Sequence, residues 1–428
     1  MSEGNESIFT YAAPRLRFGP GASDEIWHDL VQLGARKVLL VTDPGVRATG
    51  APDRIADQVS SHGAQTVVHD SAQVEPTDAS LTSAVERARA EGSFDAVIAV
   101  GGGSSIDTAK AVNLMLTNPG HLMDYVNAPI GSGRAPEQQL LPLIAVPTTT
   151  GTGAESTTIC VLDVLDLEVK TGISHERLRP QLAVVDPRLS ASQPAGVTAS
   201  AGMDILCHAL ESWTARPYTS FDRKTPDQRV PYCGANPVAD LWSERAMSLL
   251  AGAFRTAVLD GGDESARADM ALAATFAGLG FGNAGVHVPH ANAYPIAGQV
   301  RDFHPRDYQS DHAMVPHGMA VALTAAEAFR WTFDANPDRH LSAAGLLDPG
   351  RGSRWADEPR DILPGILVDL IRDLGLPNGL QAVGYGEGDV ASLVDGAMKQ
   401  QRLLATSPKP VTPGDLAEIF TRSLHLWD

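Results

Sequence analysis

Cysteine is scarce: Cys160, Cys207 and Cys233 are the only three in 428 residues, and no two form a CxxC pair. That excludes a disulfide framework and a four-cysteine zinc lobe, and it points to a reducing compartment. Basic residues are also in deficit, 33 Lys and Arg against 51 Asp and Glu, for a net charge of −18. With no local basic run to compensate, the chain repels phosphate backbones and anionic lipid, so neither nucleic acid nor a membrane surface is expected as a partner. Long apolar runs are missing as well; the longest are strand-sized, well short of the roughly 20 residues that span a bilayer. The opening residues, MSEGNESIFT, hold two glutamates, no Lys or Arg and no apolar run. Neither a signal peptide nor a transit peptide is expected from them, and the expected location is cytoplasmic.

What is present is enough chain for two or three domains with full-sized cores. Lys37–Thr42, Gln65–Val68, Ala96–Val100 and Leu141–Val146 are continuous apolar runs, as in a parallel sheet covered on both faces. Helical stretches at Asp24–Leu33, Ala51–Ser61 and Leu81–Glu91 alternate with them. The pattern predicts βαβ units and a doubly wound sheet over residues 1–190. Beyond Asp186-Pro187 the texture changes to Ala-rich segments of helical spacing, such as Ser243–Leu259 and Ala266–Ala277, without a convincing strand. Residues 191–428 are therefore expected to form an all-helical domain. Thr214–Pro237, with four prolines and four basic residues, reads as a long loop, and so does Asp348–Pro359.

Two polar turns follow strands. Gly101-Gly102-Gly103-Ser104-Ser105 precedes a helical segment at 105–115, where close backbone approach and free helix-start N–H groups suit a pyrophosphate. It is not the GxGxxG fingerprint, since position 106 is Ile, and a tight strand-to-helix turn is the plainer alternative. Pro147 to Glu155 carries Thr148, Thr149, Thr150 and Thr152, whose hydroxyls can hold a cofactor or simply cap backbone groups. In an open α/β sheet, ligands sit beyond the carboxyl ends of the strands, where both turns fall. Asp43 ends the run KVLLVT: its carboxylate suits an adenosine 2′-hydroxyl and would repel a 2′-phosphate, favouring NAD over NADP, or it belongs to an Asp-Pro-Gly turn.

Five of the 13 histidines lie between 287 and 317, namely His287, His290, His304, His312 and His317. Upstream, Asp204 and His208 stand four residues apart in a helical segment, on one face and about one turn apart. That spacing suits two ligands of a divalent cation, Fe²⁺ or Zn²⁺ by donor type. Taken by itself, the pair reads better as an N-cap Asp and an incidental His.

In order along the chain, GGGSSIDTAKA, PTTTGTG, Asp204-x3-His208, His290 and Pro316-His317-Gly318 resemble the iron-containing alcohol dehydrogenase family. VEPTD (74–78), MDYVNAPIG (123–131), VKTGI (169–173), CHALESWTARPY (207–218) and FAGLGFGNAGVH (276–287) are similar to one branch, the hydroxyacid–oxoacid transhydrogenases. The resemblance implies an α/β plus all-α fold: an amino-terminal, Rossmann-like doubly wound parallel-sheet domain and a carboxy-terminal helical domain, with the active site in the cleft between them. It implies Asp204, His208, His290 and His317 as metal ligands for Fe²⁺, with Zn²⁺ as the alternative. For NAD it implies Asp43, Gly102, Gly103, Ser104, Thr148, Thr149 and Lys170, with Asp107 and Thr152 from the same motifs. Many relatives carry a second histidine four residues after the ligand matching His290; here that place is Tyr294. A proton relay would then fall to Tyr294 or His287, or Tyr294 simply packs.

The implied chemistry is metal-assisted hydride transfer between a hydroxy acid or primary alcohol and nicotinamide. In the transhydrogenase form, 4-hydroxybutyrate becomes succinic semialdehyde while 2-oxoglutarate is reduced. A plain NAD-dependent dehydrogenase with free cofactor turnover and a dehydroquinate-synthase-like lyase are the alternatives. The expected partners are small-molecule hydroxy acids, alcohols, oxo acids or aldehydes, and a second copy of the chain in a homodimer or larger oligomer. A substrate carboxylate would need a cation; Arg216, Arg223, Lys224 and Arg229, in the loop after the Asp204–His208 segment, are the candidates, or they are solvated loop charges.

Overall fold

The computed structural model describes residues 4–167, 169–308, 313–350 and 358–428. Two compact units divide the chain: Ala13–Ala191 is one, and Ser192–Asp428 together with Met1–Ala12 is the other.

The first unit is built on a six-stranded sheet from β1 (Arg15–Phe18), β2 (Lys37–Val41), β3 (Gln65–His69), β4 (Ala96–Gly101), β5 (Leu143–Pro147) and β8 (Leu182–Val185). Its order is β1-β8-β5-β4-β2-β3, and every pairing is parallel. Continuous apolar strands make sense here because both faces are covered. Val38 and Leu40 of β2 pack into one core with Ile55 and Val59, whereas Leu39 and Val41 enter another with Leu81, Val85 and Val112. Four of the six strands were legible as apolar runs. The two missed are short: β1 is a largely exposed edge strand, RLRF, and β8 is four residues between Gln181 and Asp186. Also unanticipated is an antiparallel pair, β6 (Ile159–Val164) and β7 (Val169–Ser174).

From β2 the chain passes to β3 on one side, then crosses to β4 on the other side of β2. This reversal of direction makes the carboxyl ends of β2 and β4 the switch point of the sheet. Asp43 follows the first of these strands and the glycine turn follows the second. The turn opens helix α1 (Gly103–Thr117).

The second unit is helical, with no strand longer than an isolated bridge among the described residues. The helices that concern the site are α2 (Ala195–Thr214), α3 (Pro237–Leu259), α4 (Glu264–Ala284), α5 (Val288–Gly298) and α6 (His317–Thr332). Thr214–Pro237 is a loop with two single-turn helices, as its prolines suggest. The loop expected at Asp348–Pro359 lies largely outside the described residues. Small residues let these helices approach closely: a Cβ at Gly202 would sit 2.0 Å from the Phe254 ring.

The leading segment departs from the 1–190 division, because it packs with the helical unit. Glu6 is the reason. Its carboxylate accepts from the backbone of Ser7, Ile8 and Lys224 and from the Arg229 guanidinium at 3.3 Å. The backbone of Glu6 also donates to Phe221 O at 2.8 Å.

Within the α/β unit, Asp186 plays a similar anchoring part. Its Oδ2 accepts from Gly21 N and Ser23 N, both at 3.2 Å, and from the Ser23 hydroxyl at 2.7 Å, and Arg188 is 2.8 Å away. Burial raises the pKa of this carboxyl, but the hydrogen bonds outweigh it and bring it from 3.8 down to about 2. A carboxyl depressed in the folded state stabilises above its unfolded pKa and loses that contribution as pH falls through the folded one. Acid unfolding followed by circular dichroism should therefore show a loss of stability between about pH 4 and pH 2 that is much reduced in Asp186→Asn. An unchanged acid limb in the variant would mean that Asp186 does not carry it.

Candidate metal centre and dinucleotide turns

Helix α2 is buried nearly all round, including the polar residues Asp204, His208 and Glu211. Buried polar groups must be paired, so these three define the place to look. They lie on one face, at spacings of four and three residues. His290 reaches the same place from the first turn of α5, and His317 from the first residue of α6. Gly318 brings α6 close: a Cβ there would lie 2.1 Å from Ser200 O and 2.8 Å from Asp204 Cβ.

Around Asp204 Oδ1, the Nε2 atoms of His290, His208 and His317 stand at 3.4, 3.8 and 3.9 Å. Metal–donor bonds of about 2.1 Å set neighbouring tetrahedral donors about 3.4 Å apart, so the donors are spaced to share one cation. Asp204, His290 and His317 form the tightest group, with ligand atoms within 4.8 Å of one another. His208 completes the set from between two rings, stacked on Phe281 at 3.8 Å and on His290 at 4.4 Å. Asp204 Oδ1 and His290 Nε2 are buried and make no hydrogen bond among the described residues, as expected of atoms that face a cation. The side chain of His317 is 26% exposed against 3–5% for the other three, so the cluster opens to solvent on the His317 side.

The electrostatics agree with a cation site. Burial alone would raise the Asp204 carboxyl, but the surrounding imidazoles hold it well below the ordinary carboxylate range. Burial pushes His208 down to about 3, leaving a neutral imidazole with a lone pair to offer. His290 is also opposed by burial, yet the carboxylates of Glu211 and Asp204 outweigh it and hold it at about 9.

The relay candidates separate. The Tyr294 ring stands edge-on to His317, centroids 6.3 Å apart, beside the cluster. His287 is fully buried, its Nε2 meets Thr214 Oγ1 at 3.0 Å, and burial pushes its pKa down to about 4. His304 is exposed, and His312 lies outside the described residues. The loop cations are mostly engaged by the fold. Arg216 donates to Ser220 Oγ at 2.8 Å and lies over the Phe221 ring, Lys224 lies over the same ring, and Arg229 holds Glu6. Arg223 is exposed.

In the α/β unit the two polar turns form one surface. Gly101 pairs with Pro147, and Thr148 N donates to Gly101 O at 3.0 Å. The glycines are required by what they touch. A Cβ would lie 2.4 Å from Ser105 Oγ at Gly101, 3.1 Å from Thr149 Oγ1 at Gly102, and 2.8 Å from Thr152 Cγ2 at Gly103. Gly102 caps α1 and, lacking a side chain, leaves the first N–H groups without an N-cap bond. Thr148 Oγ1 is buried with no partner among the described residues. An uncapped helix start beside an orphaned hydroxyl fits a pyrophosphate. Asp43 fits the turn reading of its position: Oδ1 caps the next turn through Val46 N at 2.9 Å, while Oδ2 accepts from the Ser105 hydroxyl at 2.8 Å.

Three expected dinucleotide residues have protein partners. Asp107 is buried, accepts from Val161 N at 3.1 Å and is pushed up to about 6 by burial, so it ties α1 to β6. Lys170 is neither solvated nor unpaired: it is bonded to Glu75 and lies 3.3 Å from Asp163. The Ser104 hydroxyl accepts from Glu75 N at 3.1 Å. Two residues escaped sequence reasoning. Lys110 is fully buried and donates to Ala154 O, Thr157 Oγ1 and Ile159 O at 2.7–3.1 Å, pinning the segment after the threonine turn. Glu211 was visible only as a third polar residue on the Asp204–His208 face.

The family model "Iron-containing alcohol dehydrogenase" matches residues 13–187, and "Fe-containing alcohol dehydrogenase family, C-terminal" matches 231–424. The mitochondrial hydroxyacid-oxoacid transhydrogenase of Mus musculus is 41% identical over 98% of this chain and 90% of its own length; that of Bos taurus is 42% identical over the same shares. Among solved structures, a 1,3-propanediol oxidoreductase superposes with a TM-score of 0.84 at 29% identity, covering 97% of this chain and all of that one. Sulfoacetaldehyde reductase from Bifidobacterium kashiwanohense, solved with NAD+, gives 0.79 at 27% identity, covering 97% of this chain and 98% of the other. The mitochondrial relatives overturn the cytoplasmic expectation, which rested on opening residues that do not decide the compartment. With both units matched and relatives at this identity over nearly the whole length, the chain belongs to the iron-containing alcohol dehydrogenase family and is a metal-dependent oxidoreductase.

Proposed function

We propose that this chain is a hydroxyacid–oxoacid transhydrogenase that uses NAD and a divalent cation, Fe²⁺ or alternatively Zn²⁺. The observation that carries the reading is 41% identity to such an enzyme over 98% of the chain, together with four donors converging on one point in the helical unit. Asp204, His208, His290 and His317 hold the cation. Gly102, Gly103, Thr148, Thr149 and Thr152 receive the pyrophosphate, and Asp43 accepts from the adenosine ribose. When bound, the cation supplies the positive charge that acidifies a substrate hydroxyl or polarises a carbonyl, and NAD supplies the hydride acceptor.

The protein's own groups set the conditions for this chemistry. Burial keeps three of the four donors dry, which strengthens every electrostatic interaction at the site. The exposed edge of His317 is the side from which substrate enters. Tyr294, edge-on to that imidazole, is supported as the residue that orients the incoming hydroxyl or passes on its proton, while the sealed, neutral His287 is assigned to the scaffold. Ser104, Asp107 and Lys170 support the turns from behind through Glu75, Val161 and Asp163.

Purified protein given 4-hydroxybutyrate deuterated at C4 and 2-oxoglutarate, with no added NAD, should yield succinic semialdehyde and 2-hydroxyglutarate in equal amounts. Mass spectrometry should find the deuterium at C2 of the hydroxyglutarate. Turnover that appears only when NAD is added, with NADH released, would make the enzyme a plain dehydrogenase. Asp43→Ser keeps an oxygen for the Val46 cap but removes the charge; NAD affinity by fluorescence titration should fall about tenfold or more, with NADP gaining relative to NAD. Unchanged discrimination would leave Asp43 as a turn cap alone.

A further inference from the structure

The buried carboxylate of Glu211 has no part in the donor set described above, yet it contacts the helix that carries one of those donors. It is fully buried on α2, three residues beyond His208 and seven beyond Asp204. One oxygen, Oε1, lies 2.5 Å from His290 Nδ1. The other, Oε2, accepts from the backbone N–H of His287 at 2.5 Å and from that of His290 at 3.4 Å. His287 is the N-cap of α5, and its own side chain makes no capping bond. The cap of α5 is therefore supplied by a carboxylate from α2.

We propose that Glu211 is the positioning residue of the metal centre: a single carboxylate that starts the helix carrying His290, fixes its imidazole as the Nδ1–H tautomer and so leaves Nε2 free for the cation.

The chemistry of the contacts leaves little choice. A carboxylate accepts and does not donate, so the hydrogen between it and His290 sits on Nδ1. A neutral imidazole with its proton on Nδ1 has its lone pair on Nε2, the atom 3.4 Å from Asp204 Oδ1. The backbone N–H groups at the start of α5 are donors that the helix cannot satisfy, and negative charge is favoured there. Orientation of a ligand helix and orientation of a ligand ring thus depend on the same group. Carboxylates behind metal-bound histidines act in this way in general, and removing them typically weakens metal affinity about 10–100-fold.

Glutamine at 211 preserves the shape but carries only one acceptor. If that oxygen faces the α5 backbone, the amide N–H₂ faces His290 Nδ1, and the imidazole must move its proton to Nε2, blocking the metal-facing atom. If the oxygen faces Nδ1, the amide opposes the backbone donors of α5. Either outcome disturbs His290, and only the first moves the tautomer.

The inference rests on the metal reading above, and the test separates the two. Co²⁺ is titrated into wild-type and Glu211→Gln proteins, with affinity and visible d–d absorption as readouts. In parallel, ¹⁵N–¹H spectra of metal-free, histidine-labelled protein, recorded above about pH 9 where His290 is neutral and assigned through His290→Asn, report the imidazole tautomer. The expected result is a Co²⁺ affinity lower by about 10–100-fold in Glu211→Gln with an altered d–d band, and an Nδ1–H tautomer for His290 in the wild type. Glu211→Asp, one methylene too short to reach Nδ1 and the α5 backbone together, should fall in between. If Glu211→Gln melts earlier but binds Co²⁺ with wild-type affinity and spectrum, Glu211 is structural only and the inference is overturned. Should Glu211→Gln fail to fold, the wild-type spectrum decides, because an Nε2–H tautomer overturns the inference and Nδ1–H supports it. A wild type that takes up no Co²⁺ would instead overturn the metal reading itself.

Discussion

A carboxylate sealed inside a helical bundle, with three imidazole nitrogens turned toward it at 3.4–3.9 Å, is the constraint on which the helical unit depends. An unpaired buried carboxylate is costly, and a second one, Glu211, lies within the same cluster of side chains. Both charges are tolerable if a cation resides among the imidazoles. Much of the surrounding sequence follows from that requirement. Glycine at 318 lets α6 come close enough for His317 to face Asp204. The flat face of Phe281 holds His208 in plane. Glu211 opens α5 where His290 needs to be.

The α/β unit solves a different problem with a similar economy of residues. Its sheet reverses direction between β2 and β4, and the glycine and threonine turns meet across the adjacent ends of β4 and β5. Each glycine is small because a hydroxyl-bearing side chain occupies the space a Cβ would take. The result is a helix start without a side-chain cap, beside the threonine turn. Asp43 is held at the edge of this surface by Ser105.

Periodicity made the covered strands legible, because a strand buried on both faces is apolar throughout, as Val38–Val41 and Ala96–Val100 are. The same rule hid β1, whose Arg15 and Arg17 alternate with apolar residues at an exposed edge, and β8, too short to stand out. Asp204 and His208 could be paired by helical spacing alone, but His290 and His317 come from other helices, and their convergence is a tertiary fact that only the family resemblance anticipated. The protein partners of Asp107 and Lys170 were hidden for a related reason. Their motif positions follow a dinucleotide turn, while their partners, Val161, Glu75 and Asp163, come from segments distant in sequence. Glu6 illustrates the same limit at the domain boundary, where one carboxylate places the opening segment with the helical unit.

The central claim is that one cation is held by one carboxylate and three histidines in the helical unit. X-ray absorption at the edge of the metal carried by the purified protein measures this directly. The account predicts a shell of nitrogen and oxygen donors at about 2.1 Å with outer-shell scattering from three imidazoles. A shell with one imidazole or none would contradict it.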